Sequence, residues 1–340
     1  MSRSHDLRQW YKRIARNLPW RSTRDAYAIW LSEIILQQTR VNQGLPYFER
    51  FIEAYPTVDD LATADLDEVL KLWEGLGYYS RARNLHKGAK YISENGLPKN
   101  FEEWLKVPGV GPYTAAAVAS FALDENVAVV DGNVHRVLSR VYRVEEPVNT
   151  AIGHKLIQGI ADELIKDEPA AEHNQAIMEL GALVCTPKAP KCEKCPWANQ
   201  CEAFATGTQL KYPIKLKKTK VKEVGMSYTA VYGQRGMYVQ QRSTDGIWGG
   251  LYEVHPTEPE QIDVDVANSI RNETFKVTHL LSHRKLNITI HSIELEGDEP
   301  DELSGLKLYR WKEIEQLAFP KPLRGWLDEK LLPLHDDFEG

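Results

Sequence analysis

The hydrophobic period of this chain changes once, near residue 225. Before that point apolar residues recur every three or four positions in "AYAIWLSEIILQQTRV", "TADLDEVLKLWEGL" and "AVASFAL", the spacing of helices with one buried face. Pro, Gly and Asn punctuate the pattern at "EAYPTVDD", "ENGLPKN" and "EEPVNT". After it, "MSYTAVYG", "GMYVQQR" and "LNITIHSIELEG" alternate and are rich in Val, Ile, Tyr and Thr, as half-buried strands are. With 340 residues the chain has room for two cores. The expected division is an all-α domain over 1–210, a Lys-rich linker over 211–224 and an α+β domain over 225–340. In the last, "DVDVANSIRNETF" and "PKPLRGWLDEKLLPL" are the expected helices. The linker is expected from "KYPIKLKKTKVKE", which has six lysines before its first acid, a proline and little core-forming periodicity.

Charge follows the same division. The formal net charge of −6 argues only weakly against a nucleic-acid partner, because it is unevenly spread. Residues 1–222 carry 30 Lys and Arg against 27 Asp and Glu, whereas residues 223–340 carry 12 against 21. A local patch on the basic part is enough to follow a phosphate backbone. No apolar run approaches the roughly 20 residues a membrane span needs. The N-terminal segment has an Arg-rich amphipathic look, but Trp10, Tyr11, Ile14 and Leu18 sit at helical spacing. It is expected to be a structural helix of an intracellular protein without a secretory signal.

All four cysteines, Cys185, Cys192, Cys195 and Cys201, fall within seventeen residues, spaced C-x6-C-x2-C-x5-C. Thiols packed this densely, without a secretory signal, point to metal and away from disulfides. Zinc accepts four cysteines but commonly uses two separated C-x2-C knuckles, and only one is present. An irregular run of four favours an iron–sulfur cluster, with zinc the alternative. Lys188, Lys191 and Lys194 lie on the intervening loops, either as a solvated face or as a basic surface for phosphates.

The segment "LKVPGVGPYTAAA" carries a glycine turn before a helix. Gly109 and Gly111 allow backbone angles that a side chain blocks, and Pro112 suits a first helical turn. The free N–H groups of such a turn suit a phosphate oxygen, although a plain helix–turn–helix corner has the same letters. Asp131 follows in "AVVDGNVHRV", at the end of an apolar run where its carboxylate is partly buried. It can cap the next helix, whose N-terminus would help keep it ionised, and Gly132 and Asn133 can turn the chain around it. Glu33 is a second carboxyl, set among Ile29, Trp30, Ile34, Ile35 and Leu36. It either faces solvent, joins a structural pair, or is a buried acid with a raised pKa able to donate a proton.

Hairpin, aspartate and cysteine spacing together resemble the helix-hairpin-helix DNA glycosylases of the endonuclease III superfamily. Within it the chain resembles the adenine DNA glycosylases of the MutY type, over nearly its whole length. The resemblance implies an all-α helix-hairpin-helix glycosylase fold, a [4Fe–4S] module on Cys185, Cys192, Cys195 and Cys201, and a C-terminal α+β Nudix-like domain. No carboxylate-rich Nudix helix stands between 225 and 340, so that domain is expected to recognise and not to hydrolyse. By resemblance Glu33 protonates adenine at N7, Asp131 stabilises an oxocarbenium-like sugar and Asn133 positions Asp131. The base must first be flipped out of the stack. Gln37, Gln38 and Tyr78 stand where the family enters the DNA stack, with Arg81 and Arg83 nearby, and Gly109 and Gly111 hold phosphate. Bifunctional relatives carry a lysine in the hairpin where this chain has Tyr113, so a monofunctional enzyme that leaves an abasic site is implied. Ser282 and His283 in "LLSHRK" match the family's reader of 8-oxoguanine, with Leu281 where an aromatic residue is usual. The partner implied is double-stranded DNA with A·8-oxoguanine or A·G mispairs, bound by a monomer; if the source is bacterial, the location implied is the cytoplasm, at the nucleoid. Two rival readings are an endonuclease III-like glycosylase/lyase for oxidised pyrimidines, opposed by Tyr113, Glu33 and the second domain, and a non-catalytic DNA-binding iron–sulfur protein, opposed by the Glu33 and Asp131 pair.

Overall fold

The computed structural model describes residues 3–216, 221–262, 269–281, 283–297 and 299–335. The chain forms two compact units, one of residues 1–63 and 84–217, the other of residues 64–83 and 218–340. The second unit thus includes a twenty-residue segment from far up the chain, which a linear reading assigns to the helical domain.

The first unit is helical, as its periodicity predicts. Its elements are α1 (Arg3–Ile14), α2 (Ala26–Leu36), α3 (Val41–Ala54) and α4 (Val58–Thr63). After α5 (Leu66–Leu72) in the other unit, α6 (Ser80–Asn95) returns the chain, followed by α7 (Phe101–Trp104), α8 (Pro112–Leu123), α9 (Gly132–Val141), α10 (Ala151–Ile165), α11 (Ala170–Leu183) and α12 (Glu202–Ala205). Helix α2 is apolar on every side and buried from Ala26 to Ile35, the mark of a central helix. It packs on α3 and α8, where alanines 115–117 remove side-chain bulk between axes. Helix α11 packs on α1, α8 and α9. At Gly181 in α11 an added Cβ would stand 2.5 Å from the Asn133 Cβ, so glycine lets α9 and α11 close at that point.

The linker is shorter than its lysines suggest. Residues 211–216 are fixed to the first unit, with Ile214 O accepting from Val148 N at 3.0 Å and Asn149 Oδ1 accepting from Leu216 N at 2.9 Å. Strand β1 (Lys222–Tyr232) starts before the expected boundary at 225, and residues 217–220 lie outside the described residues.

The second unit is built on a seven-stranded sheet in which β3 (Tyr252–Glu253) pairs only with β2 (Gly236–Gln241). The remaining order is β4-β5-β1-β2-β7-β6, with β4 Ser269–Leu280, β5 Arg284–Leu295, β6 Glu302–Leu303 and β7 Leu306–Arg310. Strands β1 and β5 run parallel and the other pairs antiparallel. Strands β1, β2 and β5 are the three alternating segments of the sequence. The segment "DVDVANSIRNETF" is a correction. Residues 269–275 begin β4, and residues 263–268 lie outside the described residues. A register shift between Arg271 and Thr274 breaks the alternation that would have marked the strand. Helices α13 (Trp311–Gln316), α14 (Lys321–Trp326) and α15 (Leu332–His335) follow, the last two joined by π-helical residues 327–331. Ile314, Leu323, Trp326 and Leu327 seal the sheet core of Tyr228, Met237, Leu286 and Ile288.

Candidate active site

Glu33, Tyr113, Asp131 and Asn133 line one cavity of about 370 Å³ in the first unit. Glu33 reaches it from α2, only 6% exposed. The Tyr113 hydroxyl, on the first turn of α8, donates to Glu33 Oε2 at 2.7 Å. Burial pushes the Glu33 carboxyl up, against the Tyr113 hydrogen bond and with help from the nearby Asp131 charge, to about 7. A carboxyl in that range can hold a proton near neutrality and give it up.

Asp131 caps α9. Its Oδ1 accepts from the backbone N–H of Asn133 at 2.8 Å and of Val134 at 2.7 Å, and its Oδ2 accepts from Asn133 Nδ2 at 2.7 Å. Burial raises the Asp131 carboxyl above its ordinary range, and these three donors and Arg136 oppose that shift. The helix N-terminus therefore supports the anion, as the sequence suggests, but desolvation is the larger influence. Asn133 is itself held, its Oδ1 accepting from Arg136 Nη2 at 2.8 Å. Arg136 also donates to Gly181 O and Cys185 O at 2.7 Å each. A run of hydrogen bonds thus joins the aspartate to the backbone of the first cysteine.

The same cavity holds a cluster that sequence reading misses. Glu179 of α11 is fully buried and accepts from Arg16 Nε at 2.8 Å, Arg16 Nη2 at 2.7 Å and Arg21 Nη2 at 2.8 Å. Burial pushes its carboxyl up, but the two guanidiniums outweigh it and hold it down at about 2. The partners are 158 and 163 positions apart, so no local pattern announces them. The available signal was an acid between Met178 and Leu180 in the otherwise apolar second half of α11, residues 176–183.

The hairpin runs from α7 to α8. Gly109 has φ +79°, and an added Cβ would meet Asn84 Cβ at 2.5 Å. Gly111 caps α8 and Pro112 opens it. At the end of α2, Gln37 donates to Thr114 Oγ1 at 3.2 Å, and Gln38 is exposed with φ +57°.

The four cysteines border a second, small cavity, walled mostly by apolar residues including Val137, Leu180 and Phe204, with Arg140 and Gln209. Trp197 N donates to Cys195 Sγ at 3.4 Å and Arg140 Nη1 to Cys185 Sγ at 3.3 Å. Arg140, 2% exposed, also donates to Tyr212 O, Thr186 O and Pro187 O, pinning the cysteine loop to α9. Four soft sulfurs bordering one void, two of them met by N–H donors, suit a group held by several thiolates, whereas among the described residues no three of them gather round a single metal-ion position. The lysines of this loop, Lys188, Lys191 and Lys194, are exposed.

In the second unit Tyr78 is 51% exposed at φ +49°. Arg81, expected near the DNA, has its side chain turned inward. It is 8% exposed, donates to Leu76 O and Gly77 O, and lies over the Trp73 and Tyr78 rings at 4.9 and 5.6 Å. Burial lowers its guanidinium to about 10, so it braces the Tyr78 loop from inside. Arg83 is also engaged, donating to Gly249 O and to Thr244 O. Leu281 and His283 border a cavity of about 550 Å³ with Tyr78, and Ser282 lies outside the described residues.

Residues 31–160 match the HhH-GPD superfamily base excision DNA repair proteins, and residues 228–329 match the NUDIX domain. An adenine DNA glycosylase of Buchnera aphidicola from Schizaphis graminum is 32% identical over 94% of this chain and 96% of its own length. The chain belongs to the adenine DNA glycosylase family. The family's members in Rattus norvegicus and Homo sapiens are 33% and 34% identical, covering 92% and 86% of this chain and 75% and 67% of their own. A thermostable thymine-DNA glycosylase superposes with a TM-score of 0.55 at 29% identity, over 60% of this chain and 95% of its own. An endonuclease III in a non-covalent DNA complex superposes with a TM-score of 0.51 at 21% identity, over 62% and 99%, a likeness of fold. This adenine DNA glycosylase family member joins a helix-hairpin-helix unit to a Nudix-like one and is a DNA glycosylase of base excision repair. Among the described residues no helix is long and apolar enough to cross a membrane.

Proposed function

We propose that this chain hydrolyses the N-glycosidic bond of adenine mispaired with 8-oxoguanine or guanine in double-stranded DNA, acting as a monomer and stopping at the abasic site. The observation that carries the reading is the unequal carboxyl pair in one cavity. Glu33 is poised near 7, while Asp131 receives three hydrogen bonds that favour its anion.

Glu33 gives its proton to adenine N7, so the base leaves as a neutral molecule. The C1′–N9 bond breaks and its electron pair goes to the base. Asp131 faces the positive charge that develops on the sugar, and Asn133 fixes the carboxylate for that task. Glu33, now ionised, takes the proton of the attacking water and is restored to its starting state. Tyr113 stands where a lysine would form a Schiff base, and its phenol has no amine to do so.

The residues that would hold a [4Fe–4S] cluster are Cys185, Cys192, Cys195 and Cys201, and the cluster would supply a covalent cross-link for the loop that Arg140 pins. Gln37 and Gln38 from the first unit and Tyr78 from the second are proposed to enter the DNA stack, and the turn at Gly109 and Gly111 to receive a phosphate. Leu281, Ser282 and His283 are proposed to read the opposite base.

The test is a set of duplexes with A·8-oxoguanine, A·G or an oxidised pyrimidine, analysed with and without alkali after incubation. Strand scission at adenine only after alkali supports the reading. Scission without alkali, or at the pyrimidine, supports the glycosylase/lyase instead. Tyr113→Lys is expected to raise borohydride trapping on DNA above that of the unaltered protein; no increase would contradict the assignment of position 113.

A further inference from the structure

The pocket of the second unit has an aromatic wall that no part of the proposed reaction yet uses. Trp248 borders it, half-buried, with its ring centroid 5.8 Å from that of His279 at an interplanar angle of 53°. The Trp248 backbone is at φ +59°, a left-handed conformation that is strained for a bulky residue and is retained only where the surroundings enforce it. Those surroundings are visible. Gly246 and Gly250 flank it at φ +81° and +78°, and Arg83 grips the loop through Gly249 O and Thr244 O. His279 is the penultimate residue of β4, two residues before Leu281, and burial and the neighbouring Lys321 lower its pKa, leaving a neutral ring near pH 7. Arg284 and Lys321 border the same pocket and add cations suited to the phosphates flanking a bound nucleotide.

Leu281 has no π-face, so the residue next to Ser282 cannot stack on a base. We propose that Trp248, braced by His279, is the platform on which the base opposite the excised adenine stacks, and so is a specificity-determining residue of this chain. The proposal rests on the reading of the second unit as the reader of the opposite base. A purine presents a larger flat face than a pyrimidine, so the platform favours guanine and 8-oxoguanine together, and separating the two is left to hydrogen-bonding groups such as His283.

The experiment measures dissociation constants of the full chain for two duplexes carrying an uncleavable 2′-fluoro adenine nucleotide. One has 8-oxoguanine opposite the adenine and the other has a tetrahydrofuran abasic site there. Trp248→Ala and Trp248→Leu are expected to weaken the first by about 5- to 150-fold and to leave the second within about twofold, and Trp248→Phe to restore most of the loss. The Leu variant keeps apolar volume without a ring, so it separates stacking from packing and from misfolding. If Trp248→Leu binds as well as Trp248→Phe, or if both duplexes weaken together, the platform is overturned. If the unaltered chain fails to prefer the first duplex, the reading of the second unit as a base reader fails with it, which the variants alone would not produce.

Discussion

The cavity proposed for catalysis and the pocket proposed for base reading are built in opposite ways. The cavity is walled by helices, and its polar groups are held by one another: Tyr113 on Glu33, Asn133 on Asp131, two arginines on Glu179. The pocket is walled by loops, with Tyr78 and Trp248 held in left-handed backbone and Leu280 71% exposed. Bond cleavage needs carboxyls whose protonation is set in advance by burial, which rigid elements provide. Reading a base needs faces and edges that meet it from outside, which loops provide. The difference predicts that substitutions in the cavity change rate or stability and that substitutions in the pocket change discrimination.

The largest effect should come from Asp131→Asn. It keeps the shape of the cap but removes the charge, and is expected to lower single-turnover adenine release by at least about a thousandfold while duplex affinity stays within a few-fold. Retained release would remove Asp131 from the mechanism. Glu179→Ala leaves Arg16 and Arg21 facing an empty buried site and is expected to lower unfolding stability by about 3 kcal/mol, read by denaturant titration. The sign of its pH dependence follows from the lowered carboxyl. The stabilisation is fully present above the ordinary value of 4.5 and is lost as pH falls through about 2. An unchanged melting profile would mean that the cluster does not hold the cavity together. Next, Ser282→Ala combined with His283→Ala should reduce the preference for A·8-oxoguanine over A·G by about tenfold without changing the A·G rate. A fall in both rates alike would break the separation between reading and chemistry. The smallest effect is expected at Gly181→Ala. Its new Cβ would press on Asn133, costing about threefold in base release with the arginine cluster intact, and an unchanged rate would show that the Asn133 contact yields freely.

The helical unit was legible because its buried faces are periodic and its functional letters are local. Asp131, Asn133 and Val134 form one cap within four positions, and the hairpin announces itself through Gly109, Gly111 and Pro112. Glu33 stood out as a charge inside an apolar helix, which is why its burial could be foreseen. Glu179 could not, because the arginines that neutralise it come from the other end of the first unit's sequence. The inward course of Arg81 was not legible, because exposed and buried arginines look alike in sequence; the carbonyls of Leu76 and Gly77 and the ring of Trp73 reveal where it points. Strand β4 was hidden by its register shift, and Trp248 by a loop whose conformation depends on Arg83, over 160 positions away.

The central claim is that a buried, proton-bearing Glu33 and an anionic Asp131 together release the base. The pH dependence of single-turnover adenine release from an A·8-oxoguanine duplex tests it most directly. Glu33 is protonated below about 7, so release should fall as pH rises through that value, by about tenfold per unit on the alkaline side. The fall should disappear in Glu33→Gln, whose residual rate is lower throughout. A rate that stays flat from pH 6 to 9 in the unaltered chain, or an alkaline fall that survives in Glu33→Gln, would contradict the account.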